Sequence, residues 1–109
     1  GAYAFSGVNQ TLPIATHVAK HNTTPNSPKI TIKTKYANDW VLDLPSIYGS
    51  STLSSPTCTQ HWDRNVVSHI TGASSSVIVP TPRVTTCSWT ASNGGELFDN
   101  VAVELNAAR

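Results

Sequence analysis

From Lys29 onward the chain alternates, with Ile30, Ile32 and Tyr36 on one side and Thr34 among them, and Lys29, Thr31, Lys33 and Lys35 on the other. A repeat of two is the repeat of a strand with one buried face. Ala37-Asn38-Asp39 reads as a turn into a second run in which Trp40, Leu42 and Leu44 share a face and Pro45 stops the strand, so the pair predicts a hairpin. Further on, Cys87 and Trp89 fall on one side of an alternating run from Arg83 to Ala91. Ser92-Asn93-Gly94-Gly95 makes a strong turn before a last run, whose Leu97, Val101, Val103 and Leu105 read as an inward row interrupted by Asp99. Cys58 to Trp62, Asn65 to Ile70 and Val77-Ile78-Val79 read as shorter strands, the last stopped by Pro80.

Only the beginning of the chain has a helical candidate. Asn9-Gln10-Thr11-Leu12-Pro13 offers capping residues and a first-turn proline, and Ile14 to His21 then pairs Ile14 with Val18 and His17 with His21 at helical spacing. Asn22 to Pro28 is loop-like, being rich in Asn, Ser and Pro. Five to seven short strands and one short N-terminal helix predict a mainly β fold: an antiparallel β-sandwich or a single twisted sheet. With 109 residues and no internal repeat, residues 1–109 are expected to form a single domain.

The composition adds the environment. Charged residues make up 12% of the chain, about half the usual share, and the net charge is +1. Disordered chains pair low hydrophobicity with high net charge, so this one should fold. Seven basic residues spread along the chain give no cluster to neutralise phosphates, and nucleic acid is not an expected partner. No apolar run is long enough to cross a bilayer as a helix. Cys58 and Cys87 are too far apart in sequence for a CxxC motif and permit one internal pairing, so a disulfide is expected, and with it a secreted or cell-surface setting.

Gln60-His61-Trp62-Asp63-Arg64 is the densest candidate site. An indole face stacks on sugar C–H groups while polar neighbours bond hydroxyls. Loops on a rigid β scaffold commonly carry binding, which adds Tyr48 in the long Ser46–Thr57 connection, so Tyr48, His61, Trp62, Asp63 and Arg64 are the expected binding residues. The competing reading packs Trp62 beside Cys58, with Asp63 and Arg64 as a solvated turn. Trp40 and Trp89 read as core. His17 and His21 would face one way on a helix, but two ligands make an incomplete metal site, and no metal or cofactor is expected. The sequons Asn9-Gln10-Thr11 and Asn22-Thr23-Thr24 are as many as this composition yields by chance.

Acid–base hydrolysis could draw on His61, His69, Asp43, Asp63, Asp99, Glu96 and Glu104, with Arg64 or Arg83 for developing charge. No catalytic motif orders these groups, so no catalytic residue is assigned. The sequence therefore points to an extracellular recognition or assembly domain: an adhesin, a pilin-like filament subunit, or a carbohydrate- or receptor-binding module. Its partner would be a glycan, a protein receptor or neighbouring subunits of a surface assembly. A small secreted hydrolase or ribonuclease-like effector is the alternative.

Overall fold

The computed structural model describes residues 2, 4–23, 28–66, 69–93 and 96–108. The strands are β1 (Ile14–Thr23), β2 (Lys29–Lys33), β3 (Asp39–Tyr48), β4 (Leu53–Ser54), β5 (Thr59–Val66), β6 (Ile70–Val79), β7 (Val84–Ser88), β8 (Thr90–Ala91) and β9 (Phe98–Leu105). Five form a sheet in the order β1-β9-β3-β6-β5, while β2-β7 and β4-β8 form two-stranded ribbons. Every pairing is antiparallel. Among the described residues there is no helix, and none long and apolar enough to cross a membrane.

The expected N-terminal helix is strand β1 instead, paired along its length with β9. Positions four apart share a face in a strand as well as in a helix, so the spacing that suggested a helix does not discriminate. The β-branched Ile14, Thr16 and Val18 and the free edge of β9 decide the outcome. His17 and His21 are consequently about 13 Å apart along an extended chain, too far to share an ion. Gly94 and Gly95 of the expected turn, residues 24–27 of the expected loop, and residues 67 and 68 of the expected Asn65–Ile70 strand lie outside the described residues.

The expected β2–β3 hairpin also gives way. β2 pairs with β7, and β3 pairs with β6 and β9, so Thr34 to Asn38 carries the chain from the ribbon across to the sheet. Asn38 turns with a φ of 63°, a conformation asparagine tolerates. β3 runs on through Pro45, and its ladder to β6 skips Leu44 and Pro45, because a proline nitrogen has no hydrogen to give.

The β2–β7 ribbon lies on the sheet, where Ile30, Ile32 and Cys87 meet Val41, Val79 and Ala102. A second cluster joins Trp89 and Leu53 to Ile47, Ala73 and Phe98. Cys58 and Cys87 are bonded, tying the bend before the edge strand β5 to β7. Closing this 29-residue separation stabilises the fold by about 3–4 kcal/mol on the chain-entropy account.

The inward row of β9 is Phe98, Asn100, Ala102 and Glu104. That is the opposite face from the one its aliphatic residues suggested, and Leu97 and Val101 are exposed. The inward residues of β3 are likewise Asp39, Val41, Asp43 and Ile47, while Trp40, Leu42 and Leu44 face outward. Tyr36 is exposed beyond the end of β2, and Trp40 is half-buried against Phe5, ring centroids 5.1 Å apart.

The buried polar groups on the inner face bond to the crossovers. Glu104 Oε1 accepts from the amides of Lys35 (2.7 Å) and Tyr36 (3.2 Å), and Asp39 Oδ1 accepts from Ala107 N (2.8 Å). Burial, and then the hydrogen bond and charge of Asp39 beside it, outweigh the two amides and raise the Glu104 pKa above its ordinary 4.5. The folded chain thus holds a proton that the unfolded chain releases. The associated stability is complete below the ordinary value and is lost as pH rises through the raised one. Denaturant titrations from about pH 4 to about pH 8 should show this decline in the wild type and a flatter profile in Glu104→Gln, whose amide can accept from the backbone and donate to Asp39.

Candidate functional site

The outer face of the five-stranded sheet carries most of the exposed aromatic and aliphatic surface. Cross-strand register places Tyr48 beside Ile70, Ser46 beside both Gly72 and Asp99, and Leu44 beside Val101. On the edge strand Arg64 lies across from Gly72 and Trp62 across from Ser74. Tyr48 is 78% exposed, and Ile70, Leu97, Val66 and Val101 are also open to solvent.

A hollow of about 270 Å³ opens on this face, lined by Ser46, Tyr48, Ile70, Leu97, Phe98 and Asp99. Its charged group is Asp99, whose Oδ1 lies 2.9 Å from His21 Nδ1. Both side chains are largely exposed, so the pair is a weak, solvent-screened contact that orients the carboxylate. Apolar walls, one standing phenol, a hydroxyl and a carboxylate can together hold a small ligand with an apolar face and several hydroxyls.

Four of the five residues expected at the site share this face. Trp62 is half-buried, with its six-membered ring lying over Gly72. It is on the opposite side of the sheet from the core cluster that Cys58 packs against, so it does not pack beside the disulfide. Its Nε1 is buried without a hydrogen-bond partner, leaving the ring rather than the N–H to meet a ligand. A register shift between Gln60 and Trp62 inserts His61 as an extra residue, and a bulge of this kind re-aims a side chain. His61 Nε2 lies 2.5 Å from Ser76 Oγ. Asp63 is not part of the face: it sits across from the core residue Ala73, pointing to the other side, where Gln60 Nε2 donates to its Oδ2 at 2.7 Å.

The sequence reading missed Ser46, Ile70 and Leu97. Asp99 supplied a signal, since an acid within an apparent inward row is explained when that row faces out. Among the described residues no cluster of three His, Cys, Asp or Glu side chains could hold a metal ion.

One rim of the hollow is held by Glu96. Its Oε1 accepts from Ser50 N (2.9 Å) and Ser50 Oγ (3.2 Å), and its Oε2 accepts from Ser51 N (3.0 Å). These amides, Ser50 first, hold its carboxyl below the usual 4.5. Gly49 precedes them at a φ of 140°, where an added Cβ would run into the carboxylate. Asn65 Nδ2 donates to Ser51 O (3.1 Å) and to Thr71 Oγ1 (2.6 Å), which in turn donates to Ser51 O, so the loop is bound to β5 and β6 as well. No family model, curated protein or solved structure matches this chain.

Gly49→Ala should destabilise the domain by roughly 1–3 kcal/mol, from backbone strain and displacement of Glu96. Because the Glu96 pKa is depressed on folding, its clamp is complete above the ordinary 4.5 and is lost as pH falls through the lowered value. Amide exchange at Ser50 and Ser51, corrected for intrinsic pH dependence, should lose protection on that descent and lose it at all pH values in Glu96→Ala.

Proposed function

We propose that this domain is an extracellular recognition module of the β-sandwich type, and that the outer face of its five-stranded sheet binds a glycan. The observation that carries the reading is the exposed Tyr48 ring standing over a hollow that also holds Ser46 and Asp99. A pyranose presents an apolar C–H face to an aromatic ring and hydroxyls to acceptors, and Asp99 can accept from two neighbouring hydroxyls. Trp62, Arg64 and His61 extend the same face toward the β5 edge, giving room for a further sugar unit. The disulfide suits the oxidising environment in which surface glycans are met.

A second reading, attachment to neighbouring subunits of a surface assembly, draws on the exposed Leu44, Ile70 and Val101 of the same face. Aliphatic side chains grouped in this way commonly mark contacts between proteins. The hydrolase alternative has less support, because Glu96 is already engaged by the Ser50 and Ser51 amides.

A glycan array followed by calorimetric titration tests the proposal. Tyr48→Ala and Asp99→Asn should each weaken binding by about tenfold or more, a loss of about 1.4 kcal/mol, while the melting temperature moves little because both side chains are exposed. Trp62→Ala should weaken longer ligands more than single sugars and lower the melting temperature, since its ring is half-buried. An absence of glycan binding, with concentration-dependent self-association suppressed by Leu44→Lys, would replace this reading with the assembly one.

A further inference from the structure

Of the seven Lys and Arg residues, Lys29, Lys33, Lys35 and Arg83 are exposed on or beside the β2–β7 ribbon. They are scattered in the sequence, and the pairing of the two strands gathers them. In β2 every second residue is buried against the sheet, so Lys29, Thr31 and Lys33 point away from it, and β7 sets Ser88, Thr86 and Val84 opposite them. Lys29 and Lys33 therefore stand about 13 Å apart along one strand. Between them the hydroxyls of Thr31 and Thr86 lie 2.8 Å apart. Lys35 continues the alternation past the end of β2, and Arg83 is at the same end, its carbonyl accepting from Thr34 N at 3.0 Å.

No acid offsets this row. β2 and β7 contain neither Asp nor Glu. Asp39, Asp43 and Glu104 are buried, Glu96 is engaged by Ser50 and Ser51, Asp99 meets His21 on the outer face of the five-stranded sheet, and Asp63 lies on the edge strand β5. Among the described residues none of the four basic side chains is ion-paired.

We propose that the outward face of the β2–β7 ribbon binds a linear sulfated polysaccharide. Sulfates repeated along such a chain match a row of ammonium groups spread over the same length, and the hydroxyls of Thr31, Thr86 and Ser88 are placed to bond sulfate and sugar oxygens between them. Other polyanions fit this face less well. Its two strands present no aromatic ring on which bases could stack, and the ribbon lies flat on the sheet instead of projecting as a groove reader does. Val84 is the one aliphatic side chain on the outward face of these strands, too little apolar area to seat in a lipid interface. The ribbon covers the inner side of the five-stranded sheet, so this surface looks away from the hollow beside Tyr48 and does not depend on what that hollow holds.

Titration of the full chain with a heparin oligosaccharide at about 0.05 M salt should show saturable binding that weakens by about tenfold or more at about 0.2 M salt, because the contacts are ionic and screened. Lys29→Gln combined with Lys33→Gln should weaken it by about tenfold or more with an unchanged melting temperature, both positions being exposed. Lys29→Arg combined with Lys33→Arg keeps the charges and should keep the binding. Tyr48→Ala should leave it intact, which separates this surface from the hollow. Desulfated heparin should not bind. No saturable binding to heparin at low salt, or binding that the double Gln variant leaves unchanged, would overturn the proposal. Equal affinity for a DNA duplex or for phosphatidylserine vesicles, lost in the same variant, would overturn it in favour of that partner.

Discussion

Asp43 carries a carboxyl group with no access to solvent, and the joining of the two layers depends on how that group is satisfied. Its Oδ1 accepts from the amide and hydroxyl of Ser75 on β6, and its Oδ2 accepts from Trp89 Nε1 at 3.0 Å. Trp89 lies between β7 and β8, so this one side chain connects the centre of the five-stranded sheet to both ribbons. An unpaired carboxylate in that place would cost several kcal/mol, which makes the position of the indole a requirement rather than a preference. The cluster of Ile47, Leu53, Ala73 and Phe98 around Trp89 then packs on a ring whose orientation is already set.

This arrangement also accounts for what could be read in the sequence. β2 was legible because Ile30 and Ile32 alternate with lysine and threonine, and Cys87 with Trp89 marked the buried side of β7. The faces of β3 and β9 were not. Both strands carry apolar residues on each side, and the side that faces inward holds Asp39, Asp43, Asn100 and Glu104. A rule that counts aliphatic residues selects the wrong side there, since it cannot see that backbone amides and an indole will meet the acids. β1 escaped for a different reason, because its partner edge is supplied by a strand more than seventy residues away.

The candidate face was only partly legible on the same grounds. Tyr48, Trp62 and Arg64 come together because alternate residues of neighbouring strands share a side, and His61 joins them through a bulge that no spacing rule announces. Asp63 was grouped with them as a sequence neighbour, but in a strand the next residue points the other way. The hollow beside Tyr48 depends on Leu97 and Asp99 facing outward, and so on the inversion of β9. The polar inner face and the apolar outer one are thus two results of the same register.

The pairing of β1 with β9 has a mechanical consequence. Ile14 lies opposite Leu105 and Val8 opposite Ala107, so the first and last strands meet side by side at one end of the sheet. Tension applied through those two segments would act across the ladder instead of along it, opening hydrogen bonds one pair after another from that end. An antiparallel pair loaded in this way peels at lower force than one loaded in shear, where many bonds must break together. Under traction the β1 edge would therefore yield first, while the opposite edge, bonded through Cys58 to β7, kept its place.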